Sequence, residues 1–145
     1  MMFFQVPVNY LAILLCGVVA MVVGFVWYGP LFGKPWMKMI GLTDKKMEEM
    51  KKMGGMGKTY GLSFLSSLVM AWFLAHVIWY AAPGAVTLFI AVKTAFYMWL
   101  GFVATTGFIQ YLYAITPKPY KLYLLETGYH LATLLVMSVV IFFVR

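Results

Sequence analysis

Near its carboxyl end the chain reads Lys118-Pro119-Tyr120-Lys121-Leu122-Tyr123-Leu124-Leu125-Glu126-Thr127-Gly128-Tyr129-His130-Leu131, and this stretch leads into an apolar run that ends at Arg145. It contains Glu126, the only carboxylate outside the polar loop 29–58, and His130, one of two histidines. A charged group within hydrocarbon costs at least ~2.5 kcal/mol, so it usually faces protein or water and has a partner. The stretch therefore predicts a membrane-spanning helix that carries a polar site.

The composition of the whole chain agrees with a membrane protein. Of its 145 residues, 64% are hydrophobic and 10% are charged, whereas soluble domains average about 45–50% apolar and about 25% charged residues. A small soluble domain buries only ~70% of its surface and could not hide so much apolar area. We predict an all-α polytopic membrane protein with four transmembrane helices and a cytoplasmic interfacial amphipathic segment between helices 1 and 2.

Four apolar runs have about the 20 residues that a helix needs to cross ~30 Å of hydrocarbon. We predict one transmembrane domain that covers residues 1–145, with spans at about 8–28, 60–82, 86–114 and 121–144 and a polar loop at 29–58.

Local signals divide the polar loop. Pro30 and Pro35 are expected to break the first helix, because proline removes a backbone donor and clashes with the preceding turn. Thr43, followed by an acidic residue, is expected to begin a short helix. Gly54 and Gly55 are expected to end it.

Lysines predict the orientation of the chain. The connection between the first two spans holds seven lysines and the connection between the last two holds two, whereas the opposite side has only Arg145. Because basic loops stay in the cytoplasm, we predict a protein of the cell (inner) membrane with both termini outside and with loops 29–58 and 115–121 cytoplasmic. Membrane topology and binding of anionic lipid head groups then account for the net charge of +7, and no nucleic-acid partner is expected.

Four methionines, Met47, Met50, Met53 and Met56, recur every third residue, and thioethers are ligands for copper(I). At 3.6 residues per turn, however, such a step drifts by about 60°, so the four side chains spread over about half of the helix circumference. We favour an apolar face on the bilayer and predict no metal and no cofactor. A single cysteine, Cys16, cannot form an internal disulfide.

Several short motifs follow one another along the chain: Asn9-Tyr10-Leu11-Ala12; Trp27-Tyr28-Gly29-Pro30 with Phe32-Gly33-Lys34 and Trp36; Tyr60-Gly61-Leu62; Gly101-Phe102-Val103-Ala104-Thr105-Thr106; and Lys121-Leu122-Tyr123-Leu124 with Gly128-Tyr129-His130. In this order and spacing they resemble the small bacterial membrane proteins of domain-of-unknown-function family 1761. The similarity covers nearly the whole chain and implies a four-helix membrane protein, but it brings no activity, cofactor or catalytic residue. The resemblance also implies that most members of the family have an uncharged residue at the position of Glu126.

Four polar residues of the last two spans predict an intramembrane polar cluster. Glu126 and His130 are spaced i, i+4, as are Thr106 and Gln110, so each pair shares a helix face. At ~1.5 Å per residue, Glu126 and Gln110 both lie roughly 6–7 Å below the cytoplasmic interface. Spans joined by a tight turn are antiparallel neighbours. We predict a ladder in which Gln110 faces Glu126 and Thr106 faces His130, closed on the cytoplasmic side by Tyr113 and Tyr123.

Two interpretations of this cluster remain open. In one, it is a buried polar clamp that fixes how the third and fourth helices dock. In the other, it is a proton-responsive site, since a carboxylic acid holds its proton more firmly in a low dielectric and histidine titrates near neutral pH.

Other polar and aromatic residues are predicted to lie at the two membrane surfaces. Trp27, Tyr28, Lys34 and Trp36 mark the cytoplasmic interface, where aromatic belts form. His76 and Lys93 lie toward the outer side, where the lysine is expected to snorkel to the interface and the histidine to be a hydrogen-bonded packing residue.

The sequence bears on three classes of function: an accessory membrane subunit, a transporter and an enzyme. The sequence favours a non-enzymatic structural or accessory membrane subunit that forms a homo-oligomer or joins a larger membrane complex. The alternative is a small oligomeric, dimeric, proton-coupled transporter that uses Glu126 and His130. An enzyme is not expected, because no nucleophile–base pair, metal-ligand cluster or glycine-rich phosphate loop is found.

Overall fold

The computed structural model of the protein describes residues 6–145, and every regular element in that range is helical. The α-helices are α1 (Tyr10–Val26), α2 (Gly33–Ile40), α3 (Asp44–Lys52), α4 (Met56–Ala81), α5 (Leu88–Met98), α6 (Thr105–Leu112) and α7 (Tyr120–Phe143). Two π-helical segments, in which the backbone ring is one residue wider than in an α-helix, extend two of them: π1 (Trp27–Leu31) follows α1, and π2 (Trp99–Ala104) joins α5 to α6.

Four helical stretches of the described chain are long and apolar enough to cross a membrane: Tyr10–Leu31, Met56–Ala81, Leu88–Leu112 and Tyr120–Phe143. They are called the first to fourth spans below. The expectation of an all-α protein with four transmembrane helices is therefore confirmed.

The four spans form a closed bundle, in which α7 and α4 each pack against both α1 and α5. Small side chains are fully buried where the helices cross, among them Ala71, Ala91 and Ala95. Such residues let backbones approach closely, which is how helices associate where lipid removes the usual hydrophobic driving force. Cys16 is also buried, and its thiol donates to the carbonyl oxygen of Met137 at 3.6 Å.

The loop between the first two spans contains the short helices α2 and α3. The predicted start of α3 is confirmed, because the Thr43 hydroxyl accepts a hydrogen bond from the backbone N–H of Lys46 at 3.3 Å. The predicted end is confirmed as well, since the helix stops at Lys52 and Gly54 follows with a φ of 71°, a left-handed conformation that glycine adopts without a steric penalty.

The expectation that Pro30 and Pro35 break the first helix is wrong as to their positions, because each proline lies within a helix and not at a break. The helix continues through Pro30 as π1 and ends at Leu31. The wider π turn accommodates a ring that would clash in an α-helix. Pro35 lies in the first turn of α2, where the N–H groups have no partner within the helix and the loss of one costs little.

The chain reverses direction between π1 and α2, and its backbone atoms are closely packed there. Gly33 is buried, and a Cβ placed there would lie 2.7 Å from the carbonyl oxygen of Tyr28. Because the obstructing atom belongs to the backbone, no side-chain rotation could relieve the contact. The absence of a side chain at Gly33 thus allows α2 to fold back beside the end of the first span.

Candidate functional site

The four polar residues predicted to form a cluster line one groove between the third and fourth spans. Thr106 and Gln110 come from α6, and Glu126 and His130 come from α7. The groove has a volume of about 440 Å³, and Met70 of α4 lies at its inner wall. We call it the polar groove.

The helical geometry explains why these side chains meet. Residues four apart stand above one another on an α-helix, so Glu126 and His130 form one side of the groove and Thr106 and Gln110 form the other. Glu126 and His130 are half-buried, whereas Thr106 and Gln110 are exposed. The groove is thus closed on the α7 side and open along α6.

The predicted ladder of hydrogen bonds is not formed within residues 6–145. No hydrogen bond or ion pair joins Gln110 to Glu126 or Thr106 to His130. The ring nearest to His130 is that of its neighbour Tyr129, with centroids 5.0 Å apart. The four residues therefore surround a space and do not clamp the helices together directly.

Other side chains hold the third and fourth spans together. The indole N–H of Trp99 donates to the carbonyl oxygen of Thr127 at 2.7 Å. In the reverse direction, the hydroxyl of Tyr123 donates to the carbonyl oxygen of Ala104 at 2.8 Å. A carbonyl oxygen has two lone pairs and can accept such a bond while it remains in the helical ladder. These two bonds lie on either side of the level of Glu126.

The first span also contacts the turn of α7 that carries Glu126, from a different side. The indole N–H of Trp27 donates to the carbonyl oxygen of Leu125 at 3.1 Å. A Cβ at Gly128 would lie 3.2 Å from the Trp27 ring, so this glycine lets the indole lie flat against the helix. The rings of Tyr28 and Tyr129 are in contact as well, with centroids 5.2 Å apart.

Both π-helical segments begin with a tryptophan that donates to the backbone of α7. Trp27 opens π1 and Trp99 opens π2, and their acceptor carbonyls belong to residues two apart in sequence, Leu125 and Thr127. A π segment shifts the register of the side chains that follow it and is frequent at functional sites. Here the two segments and their indoles fix the one turn of α7 that carries Glu126.

Aromatic rings line the polar groove beside the carboxylate. The rings of Tyr111 and Tyr123 have centroids 5.8 Å apart, and the Phe108 ring packs on both of them. Phe102 lines the groove on the α6 side. Lys118 lies at the rim, in the exposed turn between the two spans. The groove therefore presents a carboxylate, an imidazole and aromatic faces to whatever occupies it, with the ammonium group of Lys118 at its rim.

The interfacial residues predicted from sequence lie together at one end of the bundle. The rings of Tyr28 and Trp36 have centroids 4.9 Å apart, so the start of α2 packs against the end of the first span. Lys34 is exposed on α2. Trp27 and Tyr28 are half-buried, and both contact α7 in addition to any contact with the membrane surface.

His76 and Lys93 lie away from the polar groove. His76 is buried, its Nδ1 is 2.7 Å from the carbonyl oxygen of Trp72, and the rings of the two residues have centroids 3.8 Å apart. Lys93 is exposed, with its ammonium nitrogen 5.8 Å from the Phe89 ring and 5.3 Å from the Tyr97 ring. Neither side chain is brought to Glu126.

Trp99 was not predicted from sequence to be a contact residue, and the prediction that Tyr113 closes the cluster is wrong. Trp99 was one of many aromatic residues in an apolar span, and only its indole N–H, which needs a partner in hydrocarbon, could have drawn attention to it. Tyr113, expected to close the ladder, is 83% exposed and does not line the groove. Over the described part of the chain, no group of three or more histidine, cysteine or acidic side chains is placed to hold a metal ion.

Comparison with known proteins gives one match. A family model described as "Protein of unknown function (DUF1761)" matches residues 11–142. No curated protein and no solved structure matches the chain significantly. The motifs on which the resemblance rests include Trp27-Tyr28, Gly101–Thr106 and Gly128-Tyr129-His130, and these are the segments that meet around the turn of α7 with Glu126.

Proposed function

The chain belongs to the DUF1761 family of proteins of unknown function, and we propose that it is a small membrane transport protein whose polar groove binds a proton and an organic cation in competition. The observation that carries the proposal is the half-buried carboxylate of Glu126, which lines a groove of about 440 Å³ without a hydrogen-bonding or ionic partner among residues 6–145.

An unpaired carboxylate beside hydrocarbon has two ways to lower its free energy. It can take up a proton and become neutral, or it can remain ionised opposite a cation that enters the groove. The two states exclude each other, so binding of a cation releases the proton. Such competition at a single carboxylate would couple proton movement to solute movement if the groove opened in turn to each side of the membrane.

The rings around Glu126 favour an organic cation over a metal ion. Aromatic faces attract ammonium groups at about 0.5–2 kcal/mol each, and Phe102, Tyr111 and Tyr123 line the same groove. The groove offers one carboxylate among its described lining residues, and its other oxygen groups, such as those of Thr106 and Gln110, are neutral. His130 lies one turn deeper and lines the same groove.

A second copy of the chain would complete the groove. Four helices enclose little volume on their own, and the polar groove is open along α6, where Thr106 and Gln110 are exposed. We propose a homo-oligomer in which α6 of each copy faces its partner, so that an occupant is shielded from lipid on both sides.

A probe cation tests the proposed binding. We expect tetraphenylphosphonium to bind the detergent-solubilised wild-type protein in equilibrium dialysis, and Glu126→Gln to bind it roughly thirtyfold less tightly, the effect of removing about 2 kcal/mol of charge pairing. Glu48→Gln is the matched control, because Glu48 is exposed on α3 and away from the groove. Equal binding by wild type and Glu126→Gln would contradict the proposal and favour a structural or accessory role.

We further propose that the protein lies in the cell membrane with both termini outside and the lysine-rich loops in the cytoplasm. Cysteines introduced by Lys51→Cys and Ala85→Cys test this orientation, since both positions are exposed and lie at opposite ends of the bundle. Native Cys16 is buried and is expected to stay unlabelled. A membrane-impermeant maleimide added to intact cells should label Ala85→Cys alone, and labelling of Lys51→Cys alone would reverse the orientation.

A further inference from the structure

A second groove lies where the first span, α2 and the start of α7 meet, and it is separate from the polar groove. It has a volume of about 450 Å³ and is lined by Trp27, Phe32, Pro35, Met39, Lys121 and Leu124, among others. It opens to the outside of the bundle at the level where two spans end. We call it the interfacial groove.

The lining of the interfacial groove combines an apolar floor with a single positive charge. Lys121 is the only charged residue among the described residues that line it, and no acidic residue is among them. Lys121 is exposed and lies in the first turn of α7. In that turn the backbone N–H of Leu122 donates to the carbonyl oxygen of Pro119 at 3.0 Å. Pro119 has no side-chain acceptor for the N–H groups of Tyr120 and Lys121, and these two donors at the helix start add a partial positive charge to that of the lysine.

Charge and shape together indicate the chemistry of the occupant. Side chains such as Met39 and Leu124 accept a hydrocarbon chain, and a lysine beside free N–H groups at a helix start favours a phosphate. A groove at the level of the helix ends places these two environments at the depths of lipid tails and head groups.

We propose that the interfacial groove binds one anionic phospholipid, with an acyl chain against Met39 and Leu124 and the phosphate against Lys121. The lipid would fill the space between α2 and α7 and hold the amphipathic helix at the membrane surface. This site is independent of the function proposed for the polar groove, since the two grooves share none of their lining residues.

Counting bound lipids tests the proposal. Native mass spectrometry of the full chain in a mild detergent should show one retained phosphatidylglycerol, in preference to phosphatidylcholine with the same acyl chains. We expect Lys121→Gln to weaken retention about fivefold, the contribution of one lysine at a charged lipid surface. Lys58→Gln, a matched exposed lysine in the first turn of α4, should leave retention unchanged.

A second pair of variants tests whether the lipid is retained by the groove itself and not only by the overall charge of the protein. Leu124 is 57% exposed in the groove, and Leu62 is 55% exposed on α4 away from it. Leu124→Trp should fill the groove and reduce retention with all charges intact, whereas Leu62→Trp should not. Equal retention of the two lipids, equal effects of Lys121→Gln and Lys58→Gln, or displacement of the lipid by millimolar inorganic phosphate would each overturn the proposal.

Discussion

Replacement of Trp99 by alanine is expected to lower the free energy of unfolding by about 3–5 kcal/mol, the range for loss of a large aromatic side chain from a packed site. The residue has two roles that alanine cannot replace. Its ring fills space between the third and fourth spans beside Phe96, with centroids 5.7 Å apart, and its indole N–H donates to Thr127 at 2.7 Å. Unfolding in mixed micelles with increasing dodecyl sulfate measures the change.

Two further variants separate these roles. Trp99→Phe keeps most of the ring and removes the donor, so it should cost about 1 kcal/mol, the net value of one hydrogen bond. Phe89→Ala removes an aromatic side chain from the same helix at a position that is 72% exposed, and it should change stability little in detergent. If Trp99→Ala were no more destabilising than Phe89→Ala, the indole would not be what joins π2 to α7.

The four spans and the loop helix could be predicted from sequence because their signals are local. Apolar length sets the spans, and the Thr43 cap and Gly54 set the ends of α3. The polar groove could also be anticipated in part. Glu126 and His130 share a helix face by spacing alone, and a tight turn makes the spans on either side of it neighbours.

The two π-helical segments could not be predicted in the same way. The backbone hydrogen bonds of a π-helix span one residue more than those of an α-helix, and apolar residues such as those of Trp99–Ala104 have no local pattern that favours the wider form. The segments are found where a tryptophan must reach a carbonyl oxygen of α7, so tertiary contacts select them. The position of Pro30 within a helix could not be predicted for the same reason, because it lies inside π1 and the sequence does not show that the helix widens there.

The open space beside Glu126 was also beyond sequence reasoning. Depth estimates placed Gln110 opposite the carboxylate, but depth does not fix the rotation of a helix about its axis. In the structure the Trp99 and Tyr123 bonds set the separation of the third and fourth spans. At that separation the polar side chains line a space that can admit an occupant.

The proposed transport function requires that Glu126 is the group that exchanges a proton for a cation. In a weakly buffered detergent solution with a pH-sensitive dye, saturating tetraphenylphosphonium should release up to about one proton per bound cation from the wild-type protein, because one carboxyl group changes state. Glu48→Gln should behave like wild type, whereas Glu126→Gln should release none.

That proton count is the most direct test. Release near one proton per cation in wild type, and its loss in Glu126→Gln, is the result expected from competition at a single carboxylate. Cation binding without proton release at any pH, or the same release from Glu126→Gln, would show that the carboxylate does not exchange one for the other, and the proposed transport function would fail.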